Sequence, residues 1–171
     1  MKKYELTNET ITIANGKTLY RIRALVDIEV FRVKIGDLGG YIEKEENLSH
    51  SGDAWISDNA WVSGNARVFD NAKVFGDAWV FGNAFVYGDA EVYGNAWVYG
   101  DAEVYGNARI SGGTIFDNAE VSGNAMVSGD ARVSGYAWVY GNARVSGDAW
   151  VYGDAEISCD VDQDPFEEEG E

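Results

Sequence analysis

The chain has 171 residues and a formal net charge of −16, with 21 glycines, one proline, one cysteine and one histidine. This length suits a single domain. The lone cysteine, Cys159, excludes an internal disulfide framework, and no basic stripe is present, so we expect no direct nucleic-acid binding. No apolar run is long enough for a membrane span or a signal peptide, so we expect a cytoplasmic protein, in a bacterium or an infected cell, that does not bind membranes.

The first 38 residues differ in composition from the rest and hold most of the basic side chains. Residues 10–13 and 19–22 alternate in polarity around Asn15-Gly16, which is a strong hairpin signal. Residues 26–35 fit either a third strand or a short helix. We predict that residues 1–38 form a β-rich cap, which would cover the open apolar end of a solenoid.

From Gly52 to Ser158 the chain repeats a six-residue unit, as in VYGDAE and VYGNAW. Alanine opens each strand of the pattern, and a β-branched residue follows two places later. Alternate residues of a strand share a face, so these two point inward and the residue between them points outward. Gly with Asn or Asp supplies the bend. The repeated alanines are Ala54, Ala60, Ala66, Ala72, Ala78, Ala84, Ala90, Ala96, Ala102, Ala108, Ala119, Ala125, Ala131, Ala137, Ala143, Ala149 and Ala155.

A strand this short cannot bury its apolar face alone, so the units must stack into a solenoid. The repeats resemble the hexapeptide-repeat family, whose fold is a left-handed parallel β-helix with three hexads in each triangular coil. The resemblance implies an all-β fold of about six coils over residues 39–158. The left hand is implied by the resemblance alone, because the general rule for parallel strands gives a right-handed crossover.

The segment DLGGYIEKEENLS at residues 37–49, which leads into GDAW, resembles the start of small uncharacterised hexapeptide-repeat proteins of bacteriophages and prophages. That resemblance implies a phage or prophage origin. At the other end, residues 159–171 contain seven acidic side chains and are predicted to be a disordered tail.

One unit is irregular. After Ile110 the chain reads Ser111-Gly112-Gly113-Thr114-Ile115, which is one residue short of a hexad. We interpret Thr114 as the substitute for alanine, with the outward residue before Ile115 missing. The irregularity should either flatten one wall or tighten one corner, and we expect it to be structural rather than a site.

With three hexads in a coil, outward residues 18 positions apart align in columns. The sequence predicts an apolar interface on one wall, where no charge interrupts the first three coils. The alternative is that the aromatic side chains only stabilise adjacent coils by stacking. The predicted interface residues are Trp61, Trp79, Phe81, Trp97, Tyr99 and Phe116.

The two other columns mix charges and aromatic rings. The column from Lys73 through Glu91 to Arg109 should form a ladder of alternating charge, and the third column is flanked by Phe69, Tyr87 and Tyr105. Turn residues such as Asp53 and Asn71 should form amide ladders, and calcium binding along this edge stays open as an alternative.

Enzymes of the resembled family depend on histidines, of which this chain has one. Its acyltransferases need a general-base histidine in a cleft between subunits, and its γ-class carbonic anhydrases need three histidine ligands for zinc. The one histidine, His50, stands just before the first complete hexad. We therefore expect no catalytic, cofactor-binding or metal-binding residue and no cofactor.

Three functions remain as hypotheses. The first is a structural or binding protein that associates, through its aromatic walls, either with itself or with a host protein. For self-association, the resemblance implies a homotrimer. The second is an acidic decoy from a phage that inhibits a nucleic-acid-binding or nucleotide-dependent defence protein of the host. The third is an acyltransferase-like enzyme.

Overall fold

The computed structural model describes residues 1–162 and shows an all-β parallel solenoid of six coils. Two single turns of 3₁₀ helix, Glu29–Phe31 and Glu45–Asn47, are the helical structure in that part of the chain. Three longer strands come first: β1 (Tyr4–Thr12), β2 (Thr18–Ala24) and β3 (Leu38–Ile42). β1 and β2 pair in antiparallel fashion, so the predicted hairpin is confirmed.

Eighteen two-residue strands build the coils, one strand on each of three walls per coil. The strands of the first wall are β4 (Trp55–Ile56), β7 (Lys73–Val74), β10 (Glu91–Val92), β13 (Arg109–Ile110), β16 (Met126–Val127) and β19 (Arg144–Val145). Those of the second wall are β5 (Trp61–Val62), β8 (Trp79–Val80), β11 (Trp97–Val98), β14 (Thr114–Ile115), β17 (Arg132–Val133) and β20 (Trp150–Val151). Those of the third wall are β6 (Arg67–Val68), β9 (Phe85–Val86), β12 (Glu103–Val104), β15 (Glu120–Val121), β18 (Trp138–Val139) and β21 (Glu156–Ile157).

The interior is filled by the two inward rows of the repeat. The alanines and β-branched residues of the first five coils are fully buried, as at Ala96 and Val98. Each buried valine or isoleucine contributes roughly 1.5–3 kcal/mol. Backbone N–H groups donate to the next coil, as from Trp79 to the Ala96 carbonyl (2.9 Å), and this ladder holds adjacent coils in register.

The turns stack as closely as the strands do. Gly82 has φ +73°, and a Cβ there would lie 2.9 Å from the nitrogen of Gly100 in the next turn. Aspartate can take the glycine position, since Asp58 adopts φ +58° and its carboxylate accepts the N–H of Gly76 at 3.1 Å. The same replacement occurs at Asp70 and Asp117. Their side chains accept a backbone N–H from the next turn, and this hydrogen bond offsets the strain of the positive φ.

The N-terminal segment is continuous with the coils. β3 pairs with β2 on one side and with β5 on the other, and Ile22, Ile28 and Val33 belong to the same core as Ile56. The segment for which the sequence allowed a strand or a helix forms the 3₁₀ turn Glu29–Phe31, closed by a bridge between Ile28 and Val33. The division of the chain at residue 38, and the role of the segment as a cap, stay predictions.

At the C-terminal end, the tail predicted from residue 159 begins with attached residues. Val161 forms a bridge with Val145, and the N–H of Ser146 donates to the Val161 carbonyl at 2.9 Å. The described start of the predicted tail therefore contacts the last coil, and the disorder of the tail stays a prediction. The rest of the predicted tail lies outside the described residues.

The short unit corrects our interpretation of Thr114. β14 pairs Thr114 with Trp97 and Ile115 with Val98, so Thr114 occupies the outward position. Gly113 takes the place of alanine, because its carbonyl accepts the N–H of Trp97 as the alanine carbonyls do elsewhere. The missing residue belongs to the turn, and the corner is tightened. A slip within the strand would have turned Ile115 outward, which the apolar core forbids.

Candidate binding surface

The second wall carries the predicted interface, and we call its outward surface the Trp wall. It consists of the strand positions Trp61, Trp79, Trp97, Thr114, Arg132 and Trp150 and the positions two residues further on, Ser63, Phe81, Tyr99, Phe116, Ser134 and Tyr152. The pairing places each of these residues beside its equivalent in the next coil, as the 18-residue spacing predicted.

The rings of the Trp wall form two stacks. Trp79 and Trp97 have ring centroids 4.7 Å apart with an angle of 16° between the planes, and Trp61 stands 4.9 Å from Trp79. Beside them, Tyr99 stacks between Phe81 (4.8 Å) and Phe116 (5.3 Å). These distances match the strand separation of about 4.8 Å, so the ladder itself sets the stacking distance. Partial burial raises the pKa of the Tyr99 hydroxyl.

The N-terminal hairpin covers the first tryptophan of the wall. Trp61 is only 8% exposed because it packs against Leu19 and Tyr41, with Ile11 and Ile13 at the edge of the cluster. Trp61 can therefore contact a partner only if the hairpin leaves the wall. No sequence pattern indicated this packing, since it brings together residues from different elements.

The exposed part of the predicted interface begins beyond the hairpin. Trp79 is half-buried and Trp97 is 41% exposed. Between the hairpin turn and these rings lies a groove of about 410 Å³. The groove is lined by Ile13, Ala14, Asn15, Trp61, Ser63, Trp79, Phe81 and Trp97. It contains no charged side chain.

A second cavity of about 580 Å³ opens on the same wall at the short unit, which lacks one turn residue and carries Thr114 at the strand position; we call it the notch. It is lined by Asn95, Trp97, Gly113, Thr114, Asp130, Arg132, Asp148 and Trp150. Sequence reasoning missed it because it misplaced the gap in the short unit.

On the third wall, tyrosine hydroxyls donate hydrogen bonds to neighbouring carboxylates. The Tyr87 hydroxyl donates to Glu103 at 2.9 Å, and the Tyr105 hydroxyl donates to Glu120 at 3.1 Å. Burial, together with these carboxylates, raises the pKa of Tyr87. These rings stack between coils as those of the Trp wall do, at 5.1 Å between Tyr87 and Tyr105.

The predicted ladder of alternating charge forms only in part. Glu91 and Arg109 approach to 3.5 Å, whereas the Lys73 ammonium lies over the rings of Phe31 and Phe75 at 5.0 and 4.7 Å. Both contacts are typical of exposed charges and contribute little to stability.

The Asn and Asp side chains of the turns form the predicted amide ladders. Asn71 donates to Asp89 at 3.0 Å, and Asn83 donates to Asp101 at 2.9 Å. In residues 1–162, no group of three or more His, Cys, Asp or Glu side chains is placed to hold a metal ion. No helix in the same range is long and apolar enough to cross a membrane.

His50 lies at the N-terminal end of the first coil. Its ring stacks on Tyr4 with centroids 4.3 Å apart, and its Nδ1 accepts the backbone N–H of Lys3 at 3.2 Å. Its Nε2 faces the Glu45 carboxylate at 3.8 Å. The ring thus joins the N-terminal strand to the start of the coils and lines neither the groove nor the notch.

A search of curated proteins found no match to the chain. A family model described as "YdcK Beta solenoid repeat" matches residues 84–100, 119–135, 127–140 and 137–153. All four stretches fall within the coils and together cover less than half of the chain. The chain is a β-solenoid repeat protein, similar over these stretches to the YdcK repeat.

Proposed function

We propose that this is a non-enzymatic structural or binding protein that associates with other copies of itself through the exposed part of the Trp wall. The assembly that we propose is a homotrimer. The observation that carries the proposal is the uncharged strip beyond the hairpin, formed by Trp79, Phe81, Trp97, Tyr99 and Phe116. Apolar surface of this kind marks interaction sites on soluble proteins.

The rings of the strip are already ordered by stacking, at 4.7 Å for the two tryptophans and 4.8 Å for Phe81 and Tyr99. Association would therefore cost little side-chain entropy, which is a general advantage of pre-organised surfaces. The trimer is the arrangement that the resemblance to hexapeptide-repeat proteins implies. A host protein docking on the same strip is the other partner we consider.

The charge of the chain gives this proposal a distinctive salt dependence. Copies that each carry a net charge of −16 repel one another, and added salt screens that repulsion. Self-association through an uncharged strip should therefore strengthen with salt. An acidic decoy bound to a basic groove would weaken with salt, so the two hypotheses predict opposite slopes. Phage origin and the decoy function stay predictions from the sequence.

The surroundings of His50 support a non-enzymatic role. His50 lines two other surface cavities, of about 500 and 240 Å³, but its ring is packed against Tyr4 and its Nδ1 already accepts the N–H of Lys3. Its Nε2 faces the Glu45 carboxylate at 3.8 Å. An acyltransferase would need a base whose acceptor nitrogen is free for the substrate. Loss of a measurable acyl transfer on His50→Ala would reverse this conclusion.

The experiment is sedimentation velocity over a range of concentration and salt. The wild type should have the mass of a trimer, and the double variant Phe81→Ser with Tyr99→Ser should be a monomer. Trp79→Ser with Trp97→Ser should behave in the same way. The matched control is Phe69→Ser with Tyr87→Ser, which removes an equivalent stack (4.9 Å) from another wall. A wild type that is monomeric at high concentration, or a control that dissociates equally, contradicts the proposal.

A further inference from the structure

The notch arises from two departures at the same coil. The missing turn residue removes an Asn or Asp from the edge, so that column passes from Asn95 directly to Asp130. In the same coil, Thr114 replaces the aromatic residue of the strand position. Each change removes volume from one place on the Trp wall, and together they leave a cavity of about 580 Å³.

Two tryptophans bound the notch along the axis of the solenoid. Trp97 stacks on Trp79 with one face, and its other face lies toward the small Thr114 side chain. Trp150 is held by a hydrogen bond from its indole N–H to the Ser134 hydroxyl at 3.2 Å. Both rings are 41% exposed. They stand three strand separations apart, which is about 14 Å.

The polar side chains of the notch are of both signs. The lining includes Arg132, Asp130 and Asp148, and within residues 1–162 these three side chains make no hydrogen bond or ion pair. The two carboxylates outnumber the one guanidinium, so an anionic ligand would be repelled, and the guanidinium opposes a cationic one in part. The donors and acceptors suit a neutral ligand that carries many hydroxyl groups.

We propose that the notch binds a linear neutral oligosaccharide. The faces of a sugar ring that carry C–H groups are apolar and pack flat against an indole, while hydroxyl groups point out from the edge of the ring. Trp97 and Trp150 supply the flat apolar surfaces, Asp130 and Asp148 accept hydrogen bonds from hydroxyl groups, and Arg132 donates them. The notch therefore offers both the flat apolar surfaces and the hydrogen-bonding groups that a sugar chain needs.

The spacing of the two rings sets the size of the ligand. A single sugar ring reaches only one of two indoles that are about 14 Å apart. Three or more linked rings are needed to contact both. Binding should therefore rise steeply between a monosaccharide and a tetrasaccharide, and it should be weak in absolute terms because the notch is open to solvent.

Ligand binding at the notch goes beyond the proposed self-association, and the notch lies apart from the docking strip. The docking strip runs along Phe81, Tyr99 and Phe116, whereas the notch opens toward the opposite edge of the wall, at Asp130 and Asp148. The two surfaces share only Trp97. Substitutions at Trp150 and Thr114 therefore test the notch, and those at Phe81 and Tyr99 test the strip.

The test is calorimetric titration of the full chain with the β-1,4-linked tetramers of glucose and of N-acetylglucosamine, with glucose as the monosaccharide. At least one tetramer should bind, and glucose should bind at least about tenfold more weakly. Trp150→Ala should weaken tetramer binding about tenfold. Thr114→Trp should abolish tetramer binding, because the new indole would stack on Trp97 and fill the notch while the coil stays intact.

The matched control is Trp138→Ala. Trp138 is 38% exposed and donates its indole N–H to Ser122 at 2.9 Å, as Trp150 does to Ser134, but it lies on another wall. This variant should bind the tetramer as the wild type does. Absence of binding by both tetramers, or binding that survives Thr114→Trp, overturns the proposal. Equal losses for Trp138→Ala and Trp150→Ala would also overturn it.

Discussion

Lys3 makes the stability of the protein depend on pH in an unusual direction. Its side chain is 4% exposed, and its ammonium donates to the backbone carbonyls of Ala54 (2.7 Å) and Gly52 (3.2 Å) at the start of the first coil. Burial lowers the pKa of Lys3 from 10.5 to about 8, and the negative charge of Asp53 opposes this shift only in part. The folded protein therefore holds this proton less tightly than the unfolded chain does.

The sign and size of the effect follow from that difference in pKa. Between about pH 8 and 10.5 the unfolded chain binds more protons than the folded protein, so the free energy of unfolding rises with pH. For a pKa difference between 10.5 and about 8, the cost of burying the charge falls by at most about 2.5 kcal/mol from roughly pH 7 to pH 10. Below about pH 7 the cost is fully present and constant.

The measurement is the free energy of unfolding by urea at several pH values, for the wild type and for Lys3→Met. Burial raises the pKa of Tyr4, which lowers stability at alkaline pH, but Tyr4 is present in both proteins. The difference between the two proteins therefore isolates Lys3, and it should shift in favour of the wild type as pH rises. Lys2→Met, at an exposed position, is the control and should follow the wild type. A difference that stays flat from pH 7 to 10, or one that falls, refutes the reasoning.

Three further substitutions test the packing of the coils. Gly113 and Gly153 have similar φ values, +74° and +68°, but a Cβ at Gly113 would meet the Ala131 carbonyl, whereas at Gly153 it would meet nothing within 4 Å. In urea unfolding, Gly153→Ala should cost about 1–2 kcal/mol for the left-handed backbone, and Gly113→Ala should cost clearly more; equal losses would contradict the tight corner. Ala96→Val should lower stability by about 1–3 kcal/mol because the interior at fully buried Ala96 has no room for two methyl groups, and an unchanged midpoint would contradict that.

Except at the short unit, the columns of outward residues could be predicted from the sequence. A fixed period of six, with three strands in a coil, determines which residues stack, so the contact between Trp79 and Trp97 needs no knowledge of tertiary structure. The same holds for Phe69 with Tyr87 on another wall. The hand of the coils has no such signature in the residues, and it stays a prediction from the family resemblance.

The position of the hairpin could not be predicted in the same way. The sequence indicates that residues 10–13 and 19–22 form a hairpin, but not which surface that hairpin meets. Leu19 and Ile13 pack on Trp61 because the apolar side chains on one face of the hairpin need a partner, and the first rings of the Trp wall are the nearest apolar surface. This contact removes Trp61 from the exposed surface that the column alone suggested.

The short unit shows why a break in a repeat must be assigned by register. Counted from the sequence, the missing residue could belong to the strand or to the turn, and Thr114 resembles either a small inward residue or a polar outward one. The core decides, since Ile115 must stay inward beside Val98 and so Thr114 must point outward. The deletion is thereby placed in the turn, at the edge of the wall.

That assignment changes what the irregularity can do. Had the outward residue been missing, the wall would have lost one side chain and stayed flat. With the turn shortened, an edge residue and an aromatic ring are absent from the same coil, while the coils on either side keep Trp97 and Arg132. The Trp wall thus acquires a recess between Trp97 and Trp150. In a solenoid whose other coils are nearly identical, this recess is where the Trp wall gains a surface that can distinguish one ligand from another.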